Sequence, residues 1–203
     1  MWGVMLLLVI LSVLATRRLR EVPGTLQTLL EMALGKLDDF FSGLMPKEKS
    51  DRYFPFFATL FIFIIVCNFT GLLPGAGVIP GFKAPTSSLS VTAGLGLTVF
   101  LAVIILGIRS LGVARWLRHF IKPVVIMLPF IIVDELVRPV SLALRLYGNI
   151  FGEESVMEQL YALLPIGAPL IMMVMSLLFC TIQAVVFSML AAIYVDESTT
   201  LEH

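Results

Sequence analysis

The stretch Ser141-Leu142-Ala143-Leu144-Arg145-Leu146-Tyr147-Gly148-Asn149 sets an arginine inside a long apolar region. A guanidinium keeps its charge at every working pH. At the centre of a bilayer it costs at least about 2.5–3.5 kcal/mol on insertion scales. A group held there at such a cost implies a partner or a water-filled path; the plainer reading is an arginine that snorkels near a helix end. On a helix at about 100° per residue, Asp134, Arg138, Ser141, Arg145 and Asn149 fall within a stripe roughly 80° wide. Asp134 and Arg138 are an i,i+4 pair and can neutralise each other. Arg145 has no carboxylate one turn away in either direction. Ser141 and Asn149 can orient it but not neutralise it, so its counter-ion is expected from another helix or another chain.

Further polar residues lie beyond it. Glu153, Glu154 and Glu158 follow Arg145. Glu154 is about 180° around the helix from Arg145 and roughly 13 Å along it, so it is not a simple salt-bridge partner. A carboxyl buried there can still take up and release protons. Glu153 and Glu158 read equally well as residues at a membrane interface. Farther on, Ser176 and Gln183 share a helical face, with Thr181 one residue round. Asn68, near the end of an earlier apolar run, reads as a packing residue or a polar lining. The remaining inventory excludes covalent catalysis by this chain alone. There is no CxxC, no histidine cluster beyond His119 and His203, no phosphate loop, no dinucleotide fingerprint and no placeable Ser/His/Asp set. Cys67 and Cys180 both lie in apolar runs and read as small core or lipid-facing residues. No cofactor, no metal and no nucleic acid is expected.

The elements that must position these groups are helices in a membrane. The chain has 203 residues, 59% of them hydrophobic, and a mean hydropathy of +1.00. Few soluble domains look like this, and a single polytopic domain over 1–203 is expected. Residues 2–16 form a short first span followed by Arg17, Arg18 and Arg20, the reverse of a signal peptide's order. Residues 24–45 carry Leu26, Leu29, Leu30, Leu34, Leu37, Phe40 and Phe41 at i, i+3, i+4 and i+7 spacings, which predicts an amphipathic helix on the membrane surface or on a partner. A lysine-rich polar link at 46–52 precedes a span over 54–74. Residues 75–87, rich in glycine and proline, read as a loop. The next span covers 88–108, with Thr86-Ser87-Ser88 as its N-cap and Gly94 and Gly96 as a thin packing face. Residues 123–161 and 166–195 are two long apolar segments, separated by Pro165. Arg17–Arg20, Lys47–Arg52 and Arg109–Lys122 are the basic clusters. By the positive-inside rule they lie in the cytoplasm, with the N-terminus and the 75–87 loop outside and the C-terminus inside.

The run Arg138-Pro139-Val140-Ser141-Leu142-Ala143-Leu144-Arg145-Leu146-Tyr147-Gly148-Asn149 resembles the signature of subunit a of F-type ATP synthases, the stator half of a rotary proton path. The resemblance implies an all-α membrane protein: an N-terminal span, an amphipathic surface helix, a two-helix transmembrane hairpin, then two long tilted helices in a hairpin facing the rotor ring. It implies that Gln183, within Thr181-Ile182-Gln183-Ala184, helps hold Arg145. It makes Glu154 the channel carboxylate, and it puts Ser176 where some members carry histidine. The chain departs from many members at Ser88, where they are acidic, and at Ile131, where they often carry glutamate. More chain precedes the first helix in that family, which implies an abbreviated or alternative start here.

The mechanism implied is ion transfer to a ring of partner subunits, each with a mid-membrane carboxyl. A carboxylate facing lipid is costly and must be protonated there; opposite Arg145 it can ionise. A proton would enter from outside past Glu154, Asn68 and Ser176, with Asn149 and Gln183 beside the arginine. It would leave to the cytoplasm past Asp134 or Glu135, with Ser141 and Glu158 as lesser candidates. The partners implied are the c-ring, the subunit b peripheral stalk, the rest of the F1Fo complex, the lipid bilayer and H+, with Na+ left open. The chain itself is then no enzyme. The lack of a targeting segment favours a bacterial plasma membrane over a thylakoid. Two other readings stay open: a small secondary transporter, which would usually show internal repeats, and a non-conducting membrane scaffold.

Overall fold

A computed structural model describes residues 2–16, 25–72, 84–113, 128–163 and 167–200. Among them stand six α-helices: α1 (Trp2–Thr16), α2 (Thr25–Ser42), α3 (Lys47–Thr70), α4 (Leu89–Leu111), α5 (Leu128–Leu163) and α6 (Gly167–Thr199), with one 3-10 turn (Pro85–Ser87) ahead of α4. No strand occurs among the described residues. Lys47–Thr70, Leu89–Leu111 and Ile171–Thr199 are long and apolar enough to cross a membrane. α5 has 36 residues, but Asp134, Glu135, Arg138, Arg145, Glu153, Glu154 and Glu158 interrupt it. α1 has 15 residues, fewer than the roughly 20 a perpendicular span needs. Residues 17–24, 73–83 and 114–127 lie outside the described residues. So do most of the expected outer loop, the Arg17–Arg20 cluster and the basic run from Arg115 to Lys122.

α2 uses only part of its apolar stripe. Phe41 is fully buried, 5.3 Å from the Phe57 ring and 6.4 Å from Phe54, with Phe40 edge-on at 5.4 Å. Leu29, Leu30, Met32 and Leu34, earlier on the helix, are exposed. The stripe therefore docks on α3 at one end and is open at the other.

The segment expected as a polar link is helical. Lys47–Arg52 form the first turns of α3, with Pro46 as N-cap and its carbonyl accepting from Lys49 and Ser50 at 2.9 and 3.0 Å. The polar composition suggested a linker, but nothing in Lys-Glu-Lys-Ser-Asp-Arg opposes a helix, and Glu48 in the first turn complements the helix dipole. Ser50, fully buried, faces Ser42 at 3.4 Å.

α4 begins after Ser88 as its sequence suggests, though the cap is made by backbone alone: Val91 and Thr92 donate to the Ser88 carbonyl at 3.1 and 3.2 Å. The neighbouring hydroxyls are used elsewhere, Ser87 on the Ala84 carbonyl and Thr86 on Asn68. α4 stops at Gly112, whose φ of 79° turns the chain and lets its N–H return to the Ile108 carbonyl at 2.8 Å. Of the two glycines expected to thin α4, Gly96 does so. A Cβ there would meet the Pro139 carbonyl oxygen at 2.7 Å and the Ala143 Cβ at 3.2 Å; at Gly94 it would meet nothing within 4 Å.

α4 and α5 pack on each other and both pack on α6, which also packs on α3, around Phe57, Ile64, Val99, Leu142, Leu146, Phe187 and Val195. In lipid there is little hydrophobic drive between helices, so association rests on close packing and interhelical hydrogen bonds. Gly96, Ala143, Ala184, Ala191 and Ala192, all buried, supply the close packing. Cys67 and Cys180 are free thiols in this interior.

Candidate functional site

α5 and α6 run antiparallel, and their polar contacts fix one register along the whole seam. Arg138 meets Glu197, Asn149 meets Gln183, and Glu153 meets Cys180. Residue numbers rise on α5 as they fall on α6, so three pairs made by different chemistry agree on one alignment.

At one end of the seam, Arg138 gathers three carboxylates. Its guanidinium lies 2.8 Å from Asp134 Oδ2 one turn back, 3.8 Å from Glu135 and 2.8 Å from Glu197 Oε2 on α6. It also sits over the Tyr194 ring at 5.2 Å. Arg138, Glu135 and Tyr194 line a small surface cleft together with Val99, Val103 and Leu142. Beside it, Lys49 of α3 bonds Asp196 Oδ1 and Thr200 Oγ1, each at 2.8 Å. The adjacent carboxylates Asp196 and Glu197 are thus held by cations from two different helices.

Arg145 stands two turns farther along α5 than Arg138. It is exposed, and it makes no hydrogen bond or ion pair among the described residues. One turn on, Asn149 Nδ2 donates to Gln183 Oε1 at 2.7 Å. Gln183 is 4% exposed, and its Nε2 is buried without a hydrogen-bond partner among the described residues. Ser141 is half-buried, and Gly148, beside Asn149, borders open space.

One further turn along, Glu153 turns toward α6, where its carboxylate meets the Cys180 thiol at 3.8 Å and the Ser176 hydroxyl. Glu154, the carboxyl favoured by resemblance, is half-buried and bonds to nothing among the described residues; Glu158 is exposed. Behind Cys180, Asn68 of α3 is 1% exposed; its Nδ2 donates to the Cys180 carbonyl at 3.4 Å, and its Oδ1 accepts from Thr86 at 2.8 Å. Ser88 is exposed at the start of α4, and Ile131 is half-buried on α5.

The structure therefore joins Asn149 to Gln183, Ser176 to the Glu153 region and Asn68 to Cys180, and it leaves Arg145 open. Sequence reasoning gave no site role to Glu197, Tyr194, Thr86 or Cys180, and it ranked Glu154 above Glu153. Two of these had a signal. Arg145, Asn149 and Glu153 are successive at i+4, and Ser176, Cys180 and Gln183 recur at i+4 and i+3, each set on one helix face. Thr86 and Glu197 needed the tertiary arrangement.

A helical membrane protein with a buried polar seam and an open arginine is thereby defined, and comparison with known sequences names its family. The family model described as ATP synthase A chain matches residues 1–196. The chain is similar to ATP synthase subunit a of Moorella thermoacetica, 42% identical over 197 residues that cover 96% of this chain and 86% of that one. It is 39% identical to ATP synthase subunit a of Geobacter sulfurreducens over 206 residues, covering 100% of this chain and 86% of the other. It is 38% identical to ATP synthase subunit a 1 of Crocosphaera subtropica over 203 residues, covering 99% and 85%. The chain belongs to the ATP synthase A chain family.

Proposed function

We propose that this chain is the ion-translocating, non-catalytic stator subunit of a rotary F-type ATP synthase, passing protons between two half-channels and the carboxylates of a c-ring. The observation that carries this is Arg145. It is a permanent cation on a helix of the seam, exposed and unpaired among the described residues, while Arg138 two turns away is bonded to its own carboxylates. A cation left open in this way is suited to a carboxylate brought by another chain. An opposite charge at close range favours the ionised carboxyl, and lipid favours the protonated one. Rotation would then carry each proton through lipid and release it only beside Arg145. The same fixed cation would repel a proton moving directly from one half-channel to the other.

In this reading Asn149 and Gln183 hold polar surface next to the arginine. Glu154, Asn68 and Ser176 belong to the entry side, and Asp134 and Glu135 to the exit. Ser141 and Glu158 flank the two paths. Each charge crossing the membrane contributes about 2.3 kcal/mol per 100 mV, so several protons are needed per ATP. The partners are the c-ring, the subunit b stalk and the remainder of F1Fo. The location is a bacterial plasma membrane, with the N-terminus outside and the C-terminus in the cytoplasm. H+ is the ion proposed, and the same geometry would serve Na+.

The test is ATP-driven acidification of inverted membrane vesicles. Arg145→Ala should abolish it while the c-ring still co-purifies. Unchanged pumping with the ring assembled would sink the mechanism and return the chain to a scaffold.

A further inference from the structure

We propose that Glu153 is a proton-relay carboxyl in its own right, set between Ser176 and Cys180 across the α5–α6 seam and backed by the Asn68–Thr86 pair. The proposal rests on the ion-path reading above and adds to it a residue that the family resemblance did not mark.

Buried polar groups are costly in a membrane interior unless they are joined to one another. Here they are joined, and they converge on one carboxyl. Thr86 is 0% exposed, Asn68 1%, Cys180 2% and Ser176 3%. Thr86 donates to Asn68 at 2.8 Å, Asn68 donates to the Cys180 carbonyl at 3.4 Å, and the Cys180 thiol meets Glu153 at 3.8 Å, where Ser176 also meets it. Polar groups from α3, the 3-10 turn, α5 and α6 therefore gather around Cys180, whose backbone carbonyl takes the Asn68 bond and whose thiol meets Glu153.

The cluster also points toward Arg145. Arg145, Asn149 and Glu153 lie on one face of α5 at steps of about 6 Å. Opposite them, Gln183 and Cys180 continue the line on α6. Glu154 is turned about 100° from Glu153 and about 180° from Arg145, and can serve another face. In the step proposed, hydronium from the outer water gives its proton to the Glu153 carboxylate, leaving water and the neutral acid. The acid then gives that proton, through water beside Asn149, to the partner carboxylate facing Arg145. Only O–H bonds form and break, and Glu153 is regenerated as the carboxylate.

The experiment uses vesicles carrying the whole complex with F1 stripped off, and reads passive H+ conduction under an imposed diffusion potential. Glu153→Gln should lower conduction by roughly 10²-fold, the lower end of what a positioned acid–base group contributes. Glu153→Asp should restore most of it with a displaced pH profile. If Glu153→Gln conducts like wild type while Arg145→Ala abolishes ATP-driven acidification, the relay role is overturned and the ion path stands. If Arg145→Ala also pumps on ATP addition with the ring assembled, the underlying reading fails with it. A second measurement does not depend on Glu153 variants assembling. In a Cys67→Ala background, Ag+ added from the outer side should block conduction, and a further Cys180→Ala change should abolish the block. Full conduction with Ag+ bound nowhere in the chain would remove Cys180, and Glu153 beside it, from any water-connected path.

Discussion

Asn149 and Gln183 form a one-sided pair: Asn149 donates and Gln183 accepts at 2.7 Å, and the Gln183 amide nitrogen is left buried without a partner among the described residues. An unmade hydrogen bond in such a place costs about 1–3 kcal/mol. The pair thus keeps a donor in reserve one turn from Arg145, suited to a group that arrives only in the assembled complex.

From this pair follows the first prediction. Gln183→Leu removes both the acceptor for Asn149 and the spare donor. ATP-driven acidification by inverted vesicles should fall about tenfold, as the loss of roughly 1.4 kcal/mol implies, with the complex still intact on native gels. Unaltered acidification would show that the pair is packing only.

Arg138 should behave as an electrostatic hub. Glu197 and Asp134 are largely exposed, with side-chain exposures of 50% and 63%, so screening limits each bond to about 0–1 kcal/mol. The combination with Tyr194 should nonetheless couple the two helices. A thermal double-mutant cycle of Arg138→Gln and Glu197→Gln in detergent should give a coupling of about 0.5–1 kcal/mol at low salt, shrinking at high salt. A coupling of zero at low salt would make Arg138 and Glu197 energetically independent.

Gly96 and Gly94 make a matched pair of controls for helix packing. Gly96→Ala puts a methyl against the Pro139 carbonyl and Ala143, and overpacking of this kind costs about 1–3 kcal/mol. Gly94→Ala enters open space. Melting of the purified protein should shift down for Gly96→Ala and stay level for Gly94→Ala; equal shifts would contradict the close approach of α4 to α5.

Phe41 is the anchor of α2. Phe41→Ala removes a fully buried ring from a cluster of phenylalanines and should cost about 3–5 kcal/mol. Because the loss is local to α2, limited proteolysis should cut between residues 25 and 45 sooner in the variant than in wild type. Identical cleavage rates would mean that α2 is held from elsewhere.

Much of this was legible in the sequence, and the reasons differ by residue. The helical character follows from apolar runs that leave the backbone no partner in lipid but itself. The open cation at Arg145 follows from the absence of a carboxylate one turn away, which a 3.6-residue period exposes at once. The Lys47–Arg52 turns were misread as a link because charge was taken for irregularity, and charged residues are good helix formers. Resemblance alone marks Glu154, whereas the contact of Glu153 with Cys180 emerges only when α5 and α6 are packed together. Thr86 and Glu197 were out of reach for a different reason. Each acts across a distance in sequence that no periodicity spans, and only the register of antiparallel helices brings Glu197 to Arg138.

The paired carboxylates Asp196 and Glu197 have a mechanical meaning. Lys49 draws one toward α3 and Arg138 draws the other toward α5, so the last helix ends as the apex of a triangle with two struts. A load dragged sideways across the outer face of α5 and α6 would have to shear both struts together. The end of α6 therefore resists being splayed in either direction, as the fixed half of a turning machine requires.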